Sequence, residues 1–341
     1  MPSPTPLASL LGGLGLAIPV HALMILNGSV FGISGFVHSA IRGNKEAVVA
    51  SAGLLIGGAI IGLIEGQGPP PQTQGLLLLS FSGFLVGLGT KLSNGCTSGH
   101  MLAGLSRFSK RSIAATVTFF GAAVVTTRLL YSQQQTFAPV TSPEWNINST
   151  DKTLLVAQAA PLIVSLLLYT QVGFILLRPK SYAQASTSSN SPSPEASKPR
   201  AVARLVALLS TTVEFALALR LSNLTDPSKV SAFLLLPFHL AFDPSLAFLA
   251  IGAIPLGSVL YHFFRGSEQP VLGGRWAVPK AGKVNVRLLL GAVIFGVGWG
   301  VSGFCPGPVL INFGRAVATS SDYSPWLCWL CAFVAGGLCV N

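Results

Sequence analysis

The sequence predicts an all-α, polytopic integral membrane protein with about nine transmembrane helices plus half-helices or re-entrant segments, arranged as an inverted repeat. Three observations carry that prediction. Only 9% of the 341 residues are charged while 50% are hydrophobic, against about 25% charged in a soluble domain, so too little charge remains to cover a water-facing surface. Apolar stretches of membrane-crossing length recur along the whole chain. One cysteine-centred motif also occurs twice, once in each half.

A transmembrane helix needs about 20 apolar residues, fewer where the helix is broken. Such stretches lie near 7–26, 46–64, 75–93, 112–131, 153–177, 201–222, 243–264, 287–303 and, more briefly, 326–340. Segments 27–41, 94–107, 224–238 and 305–316 are apolar yet rich in Gly, Ser and Pro. That composition suits half-helices, which are tolerated at membrane depth only where protein or a water-filled cavity shields their backbone. Residues 178–200 read as a polar, Ser- and Pro-rich cytoplasmic linker. It divides the chain into a first membrane repeat, 1–177, and a second, 201–341.

The net charge is +11, from 21 Lys and Arg against 10 Asp and Glu. In a soluble chain that balance would indicate a nucleic-acid partner. Here no basic cluster is interleaved with aromatics, so the expected partner is the lipid bilayer and no nucleic acid is expected. Fifteen basic residues fall in the loops after spans one, three, five and seven. Arg128, Lys152, Arg220, Lys229 and Arg315 fall on the other side, and Lys91 sits within a span. By the positive-inside tendency the N-terminus is outside, with the linker and C-terminus cytoplasmic. The sequons at Asn148 and Asn223 fall on the outer side. No basic residue precedes Arg42, which argues against a secretory signal peptide.

Aligning Cys96 with Cys305 also pairs Gly87 with Gly296, Gly89 with Gly298 and Ser93 with Ser302, a G-x-G-x-x-x-S-x-x-C pattern at an offset of 209 residues. Five spans separate equivalent points, and an odd number means that the halves cross in opposite directions. Inverted repeats place ligand sites at their interface, where broken helices meet. Each motif puts a thiol after a small, flexible stretch and before what can be a new helix. Pro306 and Pro308 suit a first helical turn, and Thr97 and Ser98 are ordinary N-cap residues. A half-helix N-terminus favours an anion, and a thiol adds a soft, weak donor. Asn94, Gly95, Cys96, Thr97, Ser98 and His100, with Ser302, Gly303, Cys305, Pro306 and Gly307, are therefore expected to line a path for a small sulfur-bearing anion. Lys91 could attract it.

The competing reading makes each Cys a small core residue and each Gly pair a helix contact. Glu214, a charge inside a span, could pair with Arg220 or take part in proton coupling. Cys328, Cys331 and Cys339 lie in an apolar span beside Trp326 and Trp329, which reads as packing. Zinc would need a second C-x-x-C or paired His to complete four ligands. Neither a metal nor a cofactor is expected, and no residue is assigned a catalytic role.

The segments LSNGCTSGHMLAGLSRFSKRS (92–112) and GVGWGVSGFCPGPVL (296–310) resemble the signatures of the YeeE/YedE sulfur-transport family. NGSVFGISG (27–35), DPSKVSAFL (226–234) and FDPSLAFLAIGAIPLG (242–257) are further matches, so the resemblance covers nearly the full chain except its loops. Members look like thiosulfate permeases, and this chain is similar to two half-units fused. The resemblance implies uptake of thiosulfate, or a related small sulfur oxyanion, past Cys96 and Cys305 through S–H hydrogen bonds with no covalent step. Two departures stand out. Relatives carry a further Cys in G-H-G-V-C-G, where this chain has Gly99-His100-Met101-Leu102-Ala103-Gly104. They also carry one in the first broken segment, where it offers Ser29 and Ser34. Two thiols aided by hydroxyls, Ser34 among them, is the version this sequence permits. An alternative is a membrane sulfurtransferase or persulfide carrier, which needs a low-pKa thiolate and an acceptor dock. A third reading is a channel-like partner of a cytoplasmic sulfurtransferase.

Overall fold

The structure, a computed structural model, describes residues 3–72, 74–131, 142–177, 200–237, 239–279 and 282–340. The linker expected at 178–200 lies outside these residues except for Arg200. Every regular element among the described residues is helical. The first half contains α1 (Pro6–Asn27), α2 (Ile33–Ile41), α3 (Lys45–Glu65) and α4 (Leu76–Ser93). A π-helical turn (Thr97–Leu102) follows and runs on into α5 (Ala103–Leu105), then come α6 (Lys110–Tyr131) and α7 (Ser149–Leu177). The second half contains α8 (Ala201–Leu221), α9 (Pro227–Leu234), α10 (Ser245–Phe264), α11 (Val286–Ser302), α12 (Pro306–Ala318) and α13 (Ser324–Leu338).

Eight stretches among the described residues are long and apolar enough to cross a membrane, and α13 is a shorter apolar helix. The chain is a multi-pass membrane protein. Its nine expected spans and four expected broken segments all coincide with helices or helix breaks. The local signals are plain. Asn44, Asp226 and Asn285 accept a backbone N–H at the starts of α3, α9 and α11. Gly28, Gly66 and Gly303 end α1, α3 and α11 with left-handed φ near 69°, 64° and 72°.

The two halves pack as mutual copies. Helix α1 lies on α10 and its counterpart α8 on α3, while α4 lies on α13 and its counterpart α11 on α6. The self-equivalent pairs α4–α11 and α1–α8 run antiparallel. Ser82 early in α4 donates to Gly298 late in α11, and Asn27 at the end of α1 donates to the Arg204 carbonyl near the start of α8. Antiparallel copies are what an inverted repeat requires.

Glycine sets how closely the copies approach. Gly89 abuts Gly291 and Phe295 of α11, and Gly298 abuts Ser82 and Val86 of α4. Shifting either set by the 209-residue offset gives the other. A methyl group on Gly298 would stand 2.9 Å from both the Ser82 carbonyl oxygen and the Leu85 Cβ, so small residues are needed for this backbone contact.

Charges within the bundle are neutralised in pairs. Arg220 and Arg315 share the buried Glu65 carboxylate, Lys229 pairs with Asp243 at 3.3 Å, and Arg204 pairs with Glu46 at 2.8 Å. Glu214 therefore does not pair with Arg220, because Glu65 at the end of α3 is nearer the guanidinium. Glu214 is 2% exposed, and its Oε2 has no hydrogen-bond partner.

Helix α13 corrects the packing role expected for its cysteines. Trp326, Trp329 and Phe333 repeat at helical spacing and are buried. That rotation leaves Cys328 half-buried, with Cys331 and Cys339 on the outside.

Candidate functional site

The two motifs fold into the same local form. Helix α4 ends on Asn94 with φ 57° and α11 on Gly303 with φ 72°, both left-handed and equivalent at the repeat offset. Two residues later Cys96 and Cys305 adopt extended backbone (φ −123° and −131°) as the N-cap residues of the next elements. The N-cap in the first half is thus Cys96, not Thr97 or Ser98. The π turn begins at Thr97, three residues after the αL reversal at Asn94. Pro306 does occupy the first turn of α12 as expected.

The thiols are buried, Cys96 to 1% and Cys305 to 4% exposure, and the structure brings them to one place. The Thr97 hydroxyl points at Cys305 Sγ across 3.8 Å, and the Gly307 N–H is directed at the same sulfur. Cys96 Sγ lies 3.3 Å from Ser98 Oγ, which also accepts the Ile33 N–H at 3.1 Å. Proline limits the donors of α12. Pro306 and Pro308 have no N–H, and the Val309 N–H bonds the Cys305 carbonyl at 3.2 Å. The Gly307 N–H of that first turn is directed at Cys305 Sγ, so this half-helix offers an anion less than an ordinary N-terminus does.

Two cavities meet at these segments. One, of about 270 Å³, is bordered by Cys96, Thr97, Ser98, Cys305, Pro306, Gly307 and Pro308, with apolar walls from Phe120, Phe215, Phe233 and Trp299. Phe215 stacks on Phe31 at 4.4 Å, which fixes one wall. Trp299 Nε1 and Thr116 Oγ1, on residues of the same lining, have no hydrogen-bond partner. The other cavity, of about 470 Å³, opens on the face that carries the loops 42–44, 106–109 and 265–285. Ser29, Ser34, Lys91, Asn94, Gly95, His100, Arg107 and Arg111 border it. His100 is held by Ser112 Oγ and the Ser93 carbonyl, each at 3.2 Å, and Arg111 donates to the same carbonyl at 3.1 Å.

Of the residues expected on the path or beside it, six border the first cavity and five the second. Ser302 and Gly303 border neither. The Ser302 hydroxyl is 2.5 Å from Ser82 Oγ and accepts the Phe304 N–H. A side chain on Gly303 would meet the Pro227 carbonyl at 2.6 Å. These two residues build the break. Sequence reasoning missed Trp299, Phe215 and Thr116, which read as ordinary span residues, and Arg107 and Arg111, which counted only as loop charge. No group of three or more His, Cys, Asp or Glu among the described residues is placed to hold a metal.

Paired broken helices meeting at the interface of antiparallel repeats define the class, a multi-pass membrane transporter. Residues 6–126 match the sulphur-transport family, and residues 203–340 match a family of unknown function. A probable transporter of Xylella fastidiosa (strain 9a5c) is 39% identical over 113 residues, covering 32% of this chain and 84% of that protein. A second probable transporter of the same strain is 29% identical over 134 residues, covering 39% of this chain and 86% of that protein. The chain belongs to the sulphur-transport family of the YeeE/YedE type.

Proposed function

We propose that this transporter takes up thiosulfate, or a closely related small sulfur-containing anion, through a path lined by Cys96 and Cys305. The observation that carries the reading is the convergence of two buried thiols, from equivalent helix breaks, on one largely apolar cavity. A small, strongly hydrated anion pays heavily to enter apolar walls. A larger anion with a polarisable terminal sulfur loses less water, and S–H, O–H and indole N–H groups are weak donors that can pass it on. Conduction needs binding strong enough to enter and weak enough to leave, and the two prolines of the α12 first turn keep it weak.

In this reading residues 1–177 and 201–341 are the two transport repeats. The N-terminus lies outside, and the 470 Å³ basic vestibule is the cytoplasmic exit. Ser34, Lys91, Asn94, Gly95 and His100 act there, while Thr97, Ser98, Pro306 and Gly307 act beside the thiols. Ser302 and Gly303 shape the break that holds Cys305. Burial of both sulfurs favours passage over persulfide exchange with a docked protein, which needs an accessible thiolate.

The test is uptake of labelled thiosulfate in cells lacking other carriers, with unlabelled sulfite, sulfide, sulfate and selenium analogues as competitors. Competition by soft sulfur or selenium anions and none by sulfate is expected. Equal competition by sulfate would overturn the reading.

A further inference from the structure

The two cavities share no bordering residue. Consecutive residues of the same two segments face opposite ways. Cys96, Thr97 and Ser98 border the apolar cavity, whereas Gly95 and Gly99 border the basic vestibule. In the facing segment Ile33 borders the apolar cavity, and Gly32 borders the vestibule. The backbone at 32–34 and 95–100 is therefore the wall between them. The nearest atom to a methyl group built on Gly99 is the Gly32 Cα, at 3.9 Å, and a methyl group on Gly32 would meet nothing within 4 Å. Neither residue has a left-handed φ.

These two glycines differ from those in the helix crossings. Gly298, or Gly252 at 2.5 Å from the Leu10 carbonyl, is small because a neighbouring backbone leaves no room. Gly32 and Gly99 have room and conformational licence for a side chain. Neither packing nor backbone geometry accounts for their size.

We propose that Gly32 and Gly99 form the constriction through which the ion crosses from the thiol-lined cavity to the basic vestibule, and that their missing side chains set its bore. This rests on the proposed passage through the same site. The wall is closed in this structure by one stitch, the Ile33 N–H to the Ser98 hydroxyl at 3.1 Å. Its movable side is the first half. Segment 97–102 is a π-helical turn, a form rare in helices and frequent at functional sites, held at His100 to Ser112 Oγ and the Ser93 carbonyl. Its counterpart α12 is a regular helix, tied down by Asn312 to the Thr225 carbonyl at 2.8 Å, by Arg315 to the Gln67 carbonyl at 3.0 Å, and by Arg315 to Glu65. An ion at Cys96 lies beside the Ser98 hydroxyl that holds the stitch. Rotation of the Ser98 side chain about χ1 to donate to the ion moves its oxygen off the Ile33 N–H and lets the turn withdraw from α2.

The experiment compares Gly99→Ala, Gly99→Val and Gly32→Val with Gly121→Val, a position in α6 where a methyl group meets nothing within 4 Å. Thiosulfate uptake is expected to fall in steps with side-chain size at position 99, roughly tenfold or more for Val, as a pore narrows. Gly32→Val should match it and Gly121→Val should keep full uptake, with thermal midpoints unchanged throughout. Wild-type uptake by both Gly99→Val and Gly32→Val would overturn the constriction.

A second readout is independent of the cargo. Ser34→Cys in the vestibule, in a chain with its native cysteines replaced by Ser, should react with a small anionic methanethiosulfonate applied from the outer face. Adding Gly99→Val should stop that reaction and leave reaction from the cytoplasmic face intact. Outer-face labelling that persists with Gly99→Val sinks the constriction. Absence of thiosulfate uptake by the wild-type chain alongside valine-blocked labelling sinks the cargo and keeps the constriction.

Discussion

Cys96 and Cys305 are the residues on which the transport reading turns, and each is flanked by one hydroxyl within reach, Ser98 at 3.3 Å and Thr97 at 3.8 Å. A thiol hydrogen bond is weak, about 1 kcal/mol or less net, so loss of either group should lower uptake by up to about fivefold rather than abolish it. Cys96→Ala and Cys305→Ala are expected to do this, while Cys331→Ala on the outer surface of α13 leaves uptake unchanged. Initial rates of labelled thiosulfate entry check it. Trp299 carries the second prediction. Its indole N–H is buried and unpartnered, so Trp299→Phe removes a donor from the cavity wall while keeping the aromatic packing on Phe295 and Phe119. The expected result is a rise in KM of about fivefold, the equivalent of one ordinary hydrogen bond at about 1 kcal/mol, with the thermal midpoint held. The cysteines were legible in the sequence because the same thiol recurred in register with Gly and Ser. Trp299 was not, because a Trp in an apolar span carries no sign of whether its N–H has found a carbonyl. Only the three-dimensional neighbours settle that.

Helices were legible almost residue by residue, since membrane-length apolar runs leave few other assignments, and the Gly, Ser and Pro bias marked each break. What the sequence could not supply was the partner of each charge. Glu65 lies at the end of α3 and Arg315 near the end of α12, 250 residues apart, and no local pattern joins them. Their contact fixes α12, and with it the position of Cys305 at the other end of that helix. Breaking a buried pair by deleting one partner costs about 3–5 kcal/mol, because the remaining charge is left buried. Glu65→Gln leaves both Arg220 and Arg315 without their shared carboxylate, so a fall in the thermal midpoint in detergent is expected, with reduced uptake. Gly298→Ala should also destabilise, by about 1–3 kcal/mol, through the overpacking that a methyl group 2.9 Å from α4 forces. The same scan of thermal midpoints reads both variants, and the contrast with Gly99→Ala, which makes only an ordinary contact at 3.9 Å, separates packing glycines from the pair in the wall.

At the scale of the whole molecule, fifteen basic residues fall on one side against five on the other. On the poorer side Arg220, Lys229 and Arg315 are held by Glu65 and Asp243, and Arg128 is taken up by the Leu235 and Leu236 carbonyls. Lys152 and Arg128 are the exposed positive charges there among the described residues. The richer side keeps Arg107 and Arg111 at the mouth of the 470 Å³ vestibule. The positive-inside tendency counts loop Lys and Arg rather than net charge, and on that count the basic face is expected in the cytoplasm. On that proposed placement an anion would enter on the apolar, thiol-lined side and leave through a vestibule whose positive charges draw it inward. Single cysteines introduced in a chain with Cys328, Cys331 and Cys339 replaced by Ser test the placement. Lys152→Cys, exposed at the start of α7, should react with an impermeant thiol reagent in intact cells. Lys283→Cys, exposed before α11, should react only after permeabilisation. The opposite pattern would invert the molecule and make the basic vestibule the entrance, so that anions would load from outside onto Arg107 and Arg111 first.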